Sequence, residues 1–355
     1  LFIQLNYLFF KDIYMGIILE VFRLRAKVST LLSLKLGVPL EQMTLVITFF
    51  FIIPFCFLNY LIKGKTNRLL YSFILGLLFQ YSIYGINTLH SVISTISTYC
   101  FIYFYGRKLS PFIVLFYTLI HLDILHVYRM IVNYGGWSID DASSLYMMQL
   151  TKFTSIAFNY EDGAKDDKDI KSEHHKKYKI VEKPTLLEFC SYIYFYPTAI
   201  LGPFIEYKDF INFIEEKDCY KDLNKKFKII LLKYLQLFGL TFILIAAYAF
   251  ICPIYPMDLI GRAEFPLKYP QLWKRFIFLY ISSPLVRAKY YSGWLLSYSE
   301  VVLCGLGYGE KVIDNKVVVN FDKGSYGSIL QTEFGMYPKQ KMIYWNNSIN
   351  MWFKY

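Results

Sequence analysis

The sequence predicts an all-α protein, a polytopic transmembrane helical chain with re-entrant and interfacial helices among its spans. Three observations carry this. Of 355 residues, 55% are hydrophobic and only 18% are charged, whereas soluble domains average about 25% charged. The apolar residues gather into runs of about twenty, the length an α-helix needs to cross the hydrocarbon core. The basic residues fall in short clusters between the runs: Arg23, Arg25 and Lys27; Lys63, Lys65 and Arg68; Arg107 and Lys108. The net charge of +11 is therefore that of loops meeting anionic lipid head groups, and nucleic acid is not an expected partner. The six cysteines, Cys56, Cys100, Cys190, Cys219, Cys252 and Cys304, show no CxxC or other ligand spacing. They read as small buried hydrophobes, so neither a disulfide framework nor a metal site is expected.

Taken in order, residues 1–22 predict a short membrane or interfacial helix, and residues 23–42 an amphipathic surface segment with a turn at Gly37 and Pro39. These form an N-terminal segment, 1–42, ahead of the main domain, 43–355. Leu1 rather than Met opens the chain, so an incomplete start is expected. Met43–Ile62 is a span with Pro54 inside it, followed by the basic loop Lys63–Arg68. Leu69–Ile86 is the next span; a tight turn at Asn87–His90 returns the chain to Tyr105. Two spans separate the two basic loops, which places both on one side, the cytoplasmic one. Pro111–Val132 is interrupted by His121, Asp123, His126 and Arg129, spaced roughly along one helix face. That pattern suits either an interhelix polar contact or a polar cavity.

Asn133–Ser144 is a polar break. Leu145–Phe158 is too short to cross comfortably and reads as re-entrant or buried. Glu161–Glu182 is a charged, solvated loop in which His174 and His175 are a surface pair. Leu186–Phe204 is apolar, Glu206–Lys228 interfacial, and Ile229–Ile254 the longest span. Phe276–Leu285 and Ser292–Leu306 are shorter segments. Glu310–Thr332 is a loop with room for a hairpin about Val317–Val319. About eight spanning or re-entrant helices result.

Four clusters set polar groups beside these spans: Tyr134-Gly-Gly-Trp137-Ser-Ile-Asp140; Ser155-Ile-Ala-Phe-Asn-Tyr-Glu-Asp162-Gly163; Gly202-Pro-Phe-Ile-Glu206-Tyr207; and Arg287-Ala-Lys289-Tyr290-Tyr291-Ser-Gly-Trp294, with Glu300 six residues on. A fifth is Trp345-Asn346, five residues, then Trp352. Each alone fits an interfacial belt of aromatic residues and turn glycines. No nucleophile elbow, Walker loop or GxGxxG fingerprint competes with them.

As an ordered set, from about Met43 to Tyr355, they resemble the membrane-bound O-acyltransferase family, and most closely its lysophospholipid acyltransferase branch. The resemblance implies transfer of an acyl chain from acyl-CoA to a lysophospholipid hydroxyl within the membrane, as part of phospholipid remodelling in the endoplasmic reticulum. It implies membrane lipids, acyl-CoA and lysophospholipid as partners, with acyl-CoA as substrate and no cofactor. By motif match Asn346 is the catalytic amide. Trp137, Asp140, Asp162, Glu206, Lys289, Tyr290, Tyr291, Trp294, Glu300 and Trp345 contribute to substrate binding. The family also places a general-base histidine in a Trp-His-Gly motif beyond the Trp-Asn stretch. None of His90, His121, His126, His174 or His175 has that setting, and Tyr355 is nine residues past Asn346. The expectation is a chain incomplete at its C-terminus and lacking the base. Two other readings stay open: a transporter or channel lined by His121, Asp123 and Arg129, and an inactive lipid-binding member of the family.

Overall fold

The computed structural model describes residues 20–353 apart from 36, 38–39, 133, 135–141 and 171. The helix expected over residues 1–22 therefore lies, except for its last three residues, outside the described region. The described residues are almost entirely helical, with one two-stranded sheet. They divide into two compact units, 1–200 and 201–355.

The first unit holds α1 (residues 20–35), α2 (Leu40–Leu58), α3 (Lys65–Tyr84), α4 (Thr88–Phe104), α5 (Gly106–Val132), α6 (Ala142–Asp162), α7 (Glu173–Tyr178) and α8 (Leu186–Ile193). The surface segment expected from residue 23 is not purely superficial. Arg25 is buried and donates to Thr48 Oγ1 of α2 and to the Ser82 carbonyl of α3, both at 2.9 Å. Burying an arginine is costly unless its donors are satisfied, and these two acceptors serve its two terminal nitrogens.

Positive-φ glycines break the chain between spans: Gly64 ahead of α3, Gly85 between α3 and α4, and Gly106 between α4 and α5. α4 and α5 then run antiparallel. His90 Nδ1 lies 3.1 Å from His121 Nε2, and Ser94 Oγ lies 2.9 Å from His121 Nδ1. Here the interhelix reading of His121 holds. Asp123, two residues on and so about 200° around the helix, is exposed, so the four polar residues of α5 do not share a face. The outward side of α5 is instead apolar: Phe112, Phe116, Leu119, Ile120, Ile124, Val127 and Ile131 are exposed. Spacings of three and four make these one stripe, larger than the apolar patches soluble proteins expose.

α6 is longer than its apolar run suggested, at 21 residues, and 16 of them are buried. Its hydroxyls return to its own backbone, as with Thr154 Oγ1 to the Leu150 carbonyl at 2.8 Å, which makes a Ser/Thr-rich helix tolerable inside. Lys152, fully enclosed, donates to the carbonyls of Tyr192 (3.2 Å) and Ile193 (3.0 Å) at the end of α8 and to Thr198 Oγ1 (2.8 Å). α8 starts at a capping box, with Thr185 and Glu188 satisfying each other's backbone amides. It stops at Ile193, well short of the apolar run to Phe204, because a 3₁₀ turn containing Pro197 and then Gly202-Pro203 follow.

The second unit holds α9 (Tyr207–Ile214), α10 (Leu223–Ile251), α11 (Glu264–Lys268), α12 (Leu272–Leu303), β1 (Gly309–Ile313), β2 (Lys316–Asn320), α13 (Ile329–Phe334), α14 (Pro338–Trp345) and α15 (Asn347–Trp352). The single interfacial stretch expected over 206–228 is split. Glu216, Asp218 and Asp222 adopt positive φ, a left-handed conformation that ends a helix, and α10 starts only at Leu223. The two short segments expected over 276–285 and 292–306 are one 32-residue helix, α12, with Pro284 inside it. Polar residues interrupt its hydropathy without interrupting its 3.6-residue periodicity. α10 and α12 pack side by side. The expected hairpin is present, pairing Val312 with Val317 and Lys311 with Val318.

Among the described residues, four segments are long and apolar enough to cross a membrane: Leu40–Leu61, Lys65–Phe104 (which comprises α3 and α4), Gly106–Val132 and Leu223–Ile251. With their outward apolar stripes they make this an all-α, integral membrane protein.

Candidate active site

α12 supplies one wall of the site. Arg287, Tyr291, Trp294 and Tyr298 recur at spacings of four, three and four and so lie on one helix face. α14 brings Trp345 against them. The Trp345 ring centroid is 5.0 Å from that of Trp294 and 5.4 Å from that of Tyr291, both edge to face. Trp294 in turn stacks on Tyr326 at 5.3 Å with an interplanar angle of 11°. Edge-to-face and offset contacts of this kind each contribute about 0.5–1.5 kcal/mol beyond area burial, so the cluster is a rigid aromatic wall. It lines a cavity of about 410 Å³, completed by Lys233 and Leu237 of α10, Asn320 at the end of β2 with Phe321 and Asp322 after it, and Tyr344. Trp345 also lines a second cavity of about 370 Å³, with Arg287, Thr332, Lys341 and Met342.

Asn346 links α14 to α15. Its Oδ1 accepts the Ile349 amide at 3.2 Å and caps α15. The Nδ2 amide protons are the part of the group this cap does not use. Two bonds hold that corner: the Asn347 amide donates to the Tyr326 carbonyl at 2.8 Å, and the Phe204 amide donates to Ser348 Oγ at 2.7 Å. The second bond ties the Gly202-Pro203-Phe204 stretch, whose peptide bond at Pro203 is cis, to the Trp-Asn stretch.

Beside the wall, Arg287 holds Glu333 of α13 through Nε at 2.7 Å and Nη2 at 2.5 Å, and the Tyr291 hydroxyl donates to the same carboxylate at 2.7 Å. Partial burial pushes the Glu333 carboxyl up, but the hydrogen bonds from Arg287 and Tyr291 outweigh it and leave the group below its ordinary range.

The structure brings together Tyr290, Tyr291, Trp294, Trp345 and Asn346. Lys289 is exposed on another side of α12. Glu300 is buried but sits nearly two turns beyond Trp294, on the opposite face. Glu206 is buried as the residue preceding α9, where its carbonyl accepts the Phe210 amide. Asp162 belongs to the first unit, where Lys165 Nζ at 2.8 Å and His175 Nδ1 at 3.3 Å contact it. His175 is thus turned to a carboxylate and is not a plain surface residue. Trp137 and Asp140 lie outside the described residues. Among the described residues no group of three or more His, Cys, Asp or Glu is placed to hold a metal. Sequence reasoning missed Tyr298, Tyr326 and Glu333. Tyr298 was findable, one helical turn past Trp294. Tyr326 and Glu333 stand in stretches with no local pattern to mark them.

A family model described as the membrane-bound O-acyltransferase family matches residues 108–354. The lysophospholipid acyltransferase of Saccharomyces cerevisiae is 29% identical over 297 residues, which are 74% of this chain and 45% of that protein. Lysophospholipid acyltransferase 2 of Arabidopsis thaliana is 25% identical over 334 residues, 91% of this chain and 69% of that one. Membrane-bound glycerophospholipid O-acyltransferase 2 of Homo sapiens is 26% identical over 350 residues, 91% and 65%. The chain thus spans less than half of the yeast relative and about two thirds of the other two. With more than half of its length matched, the chain belongs to the membrane-bound O-acyltransferase family.

Proposed function

We propose that the protein transfers an acyl chain from acyl-CoA to the free hydroxyl of a lysophospholipid, in the membrane of the endoplasmic reticulum. The observation that carries this is an aromatic cavity built on α12 and lined by Trp345, the residue next to Asn346, in a family of membrane acyltransferases whose similar members include ones named lysophospholipid acyltransferases. In this reading the hydroxyl oxygen attacks the thioester carbonyl. A C–O bond forms, the C–S bond breaks, and CoA leaves as its thiol. Asn346 Nδ2 donates to the oxygen on which negative charge develops. Capping α15 through Oδ1 fixes the direction of that donor. The proton acceptor this chemistry needs is a Trp-His-Gly histidine, which is not one of the five histidines in the sequence. Trp137, Asp140, Asp162, Glu206, Lys289 and Glu300 remain motif-based assignments to substrate binding.

The test is Asn346→Ala in the full-length protein, with acyl-CoA-dependent conversion of lysophospholipid followed in isolated membranes. Removal of one oxyanion donor costs roughly 10²–10³ in kcat. Undiminished activity at equal expression overturns the role of Asn346; absence of conversion by the wild-type protein overturns the function.

A further inference from the structure

The β-hairpin of the second unit exposes more aliphatic surface than a solvated loop needs. Asp314 and Asn315 form its turn, both at positive φ, as a two-residue hairpin turn requires. Val312 pairs with Val317, Ile313 with Lys316, and Lys311 with Val318. Val312 is 73% exposed and Val317 64%, and Ile313 and Val318 are exposed as well. Four aliphatic side chains therefore crowd the tip, with Lys311 and Lys316 among them.

The base of the hairpin has a defined depth. Glu310 accepts from Lys226 Nζ at 2.8 Å and from the Tyr308 hydroxyl at 2.6 Å. Lys226 stands in the first turn of α10, with Lys225 and Lys228 beside it and an apolar run beginning at Ile229. Such a step from lysines to aliphatics marks the boundary between head groups and hydrocarbon on a span. The hairpin base therefore sits at head-group depth. Its strands have five residues each, and a reach of about 16 Å keeps the tip within range of the bilayer surface. Short strands with a lysine on each are also poor templates for pairing with a strand of another protein.

We propose that this hairpin is an interfacial anchor. Val312, Ile313, Val317 and Val318 enter the boundary between head groups and acyl chains of the bilayer that α10 crosses. Lys316 holds its ammonium group at phosphate level, while Lys311 pairs with Asp322 where the chain leaves the hairpin. β2 ends at Asn320 and leads into Phe321 and Asp322, all three lining the 410 Å³ cavity, so the anchor holds one rim of that cavity at the lipid surface. The proposal rests on the membrane spans and not on the acyl-transfer reading.

The test uses the full-length protein in nanodiscs, with Val317→Trp read as a difference from the parent's own tryptophan emission. The expected added emission is blue-shifted. Phosphatidylcholine brominated near the head group quenches it severalfold more than aqueous acrylamide does. Val312→Trp, at a second exposed site that alters no packing, repeats the measurement. Added emission quenched by acrylamide and indifferent to bromine, or shielded from both, overturns the anchor.

Discussion

At the scale of single residues, the Glu333 carboxylate carries the clearest electrostatic prediction. Its carboxyl is held below its ordinary range, so its contribution to stability is fully present above about pH 4.3 and is lost as pH falls through the lowered value. Glu333→Gln removes the charge from the Arg287 pair and is expected to cost about 1–2 kcal/mol at neutral pH. A thermal melt in detergent at pH 7 and pH 4 checks this. The variant melts lower than the wild type at pH 7, and the gap narrows at pH 4; equal melting at pH 7 refutes it. Ser348→Ala leaves the buried Phe204 amide without the acceptor that the structure places 2.7 Å away, at a cost of about 1–3 kcal/mol. Ser348→Thr, which keeps the hydroxyl, should recover most of the loss in the same melt. Neither residue announced itself in the sequence. Glu333 is one of many loop acids until α13 folds against α12, and Ser348 is an unremarked hydroxyl between Asn347 and Ile349.

At the scale of elements, close approach of helices makes the sharpest demand. A Cβ built on Gly76 of α3 would lie 1.5 Å from the Tyr194 carbonyl oxygen at the end of α8. Gly76→Ala must therefore push α3 and α8 apart, and a loss of about 1–3 kcal/mol or more is expected, read as a lower melting temperature. An unchanged melt would mean the two helices are not so close. The capping box of α8 gives a smaller figure: Thr185→Ala should cost about 1 kcal/mol. The sequence made the spans legible because length and hydropathy alone define them. It hid the continuity of α12, because Arg287 and Lys289 interrupt the apolar signal between residues 285 and 292. It also hid the break in 206–228, since left-handed Glu216, Asp218 and Asp222 have no compositional mark. The aromatic wall was half legible. Tyr290, Tyr291, Trp294 and Trp345 stood in motifs, but their meeting at 5–6 Å depends on α14 folding back.

At the scale of the whole molecule, the outward stripe of α5 predicts what the surroundings must be. Ile120 is 58% exposed near the middle of that helix. Ile120→Asp should raise the apparent free energy of insertion by about 3–4 kcal/mol, measured by glycosylation mapping of the α5 segment in microsomes. Unchanged insertion would show that this face does not meet lipid. The bond between Phe204 and Ser348 has a consequence for biogenesis. Its partners are 144 residues apart in the chain. At about 5–20 residues per second of translation, on the order of ten seconds pass before the hydroxyl that receives the Phe204 amide has even been made. Throughout that interval the turn at Leu201–Phe204 is held by whatever the translocon offers. A nascent chain arrested between these two residues presents it to quality control as an unfinished surface.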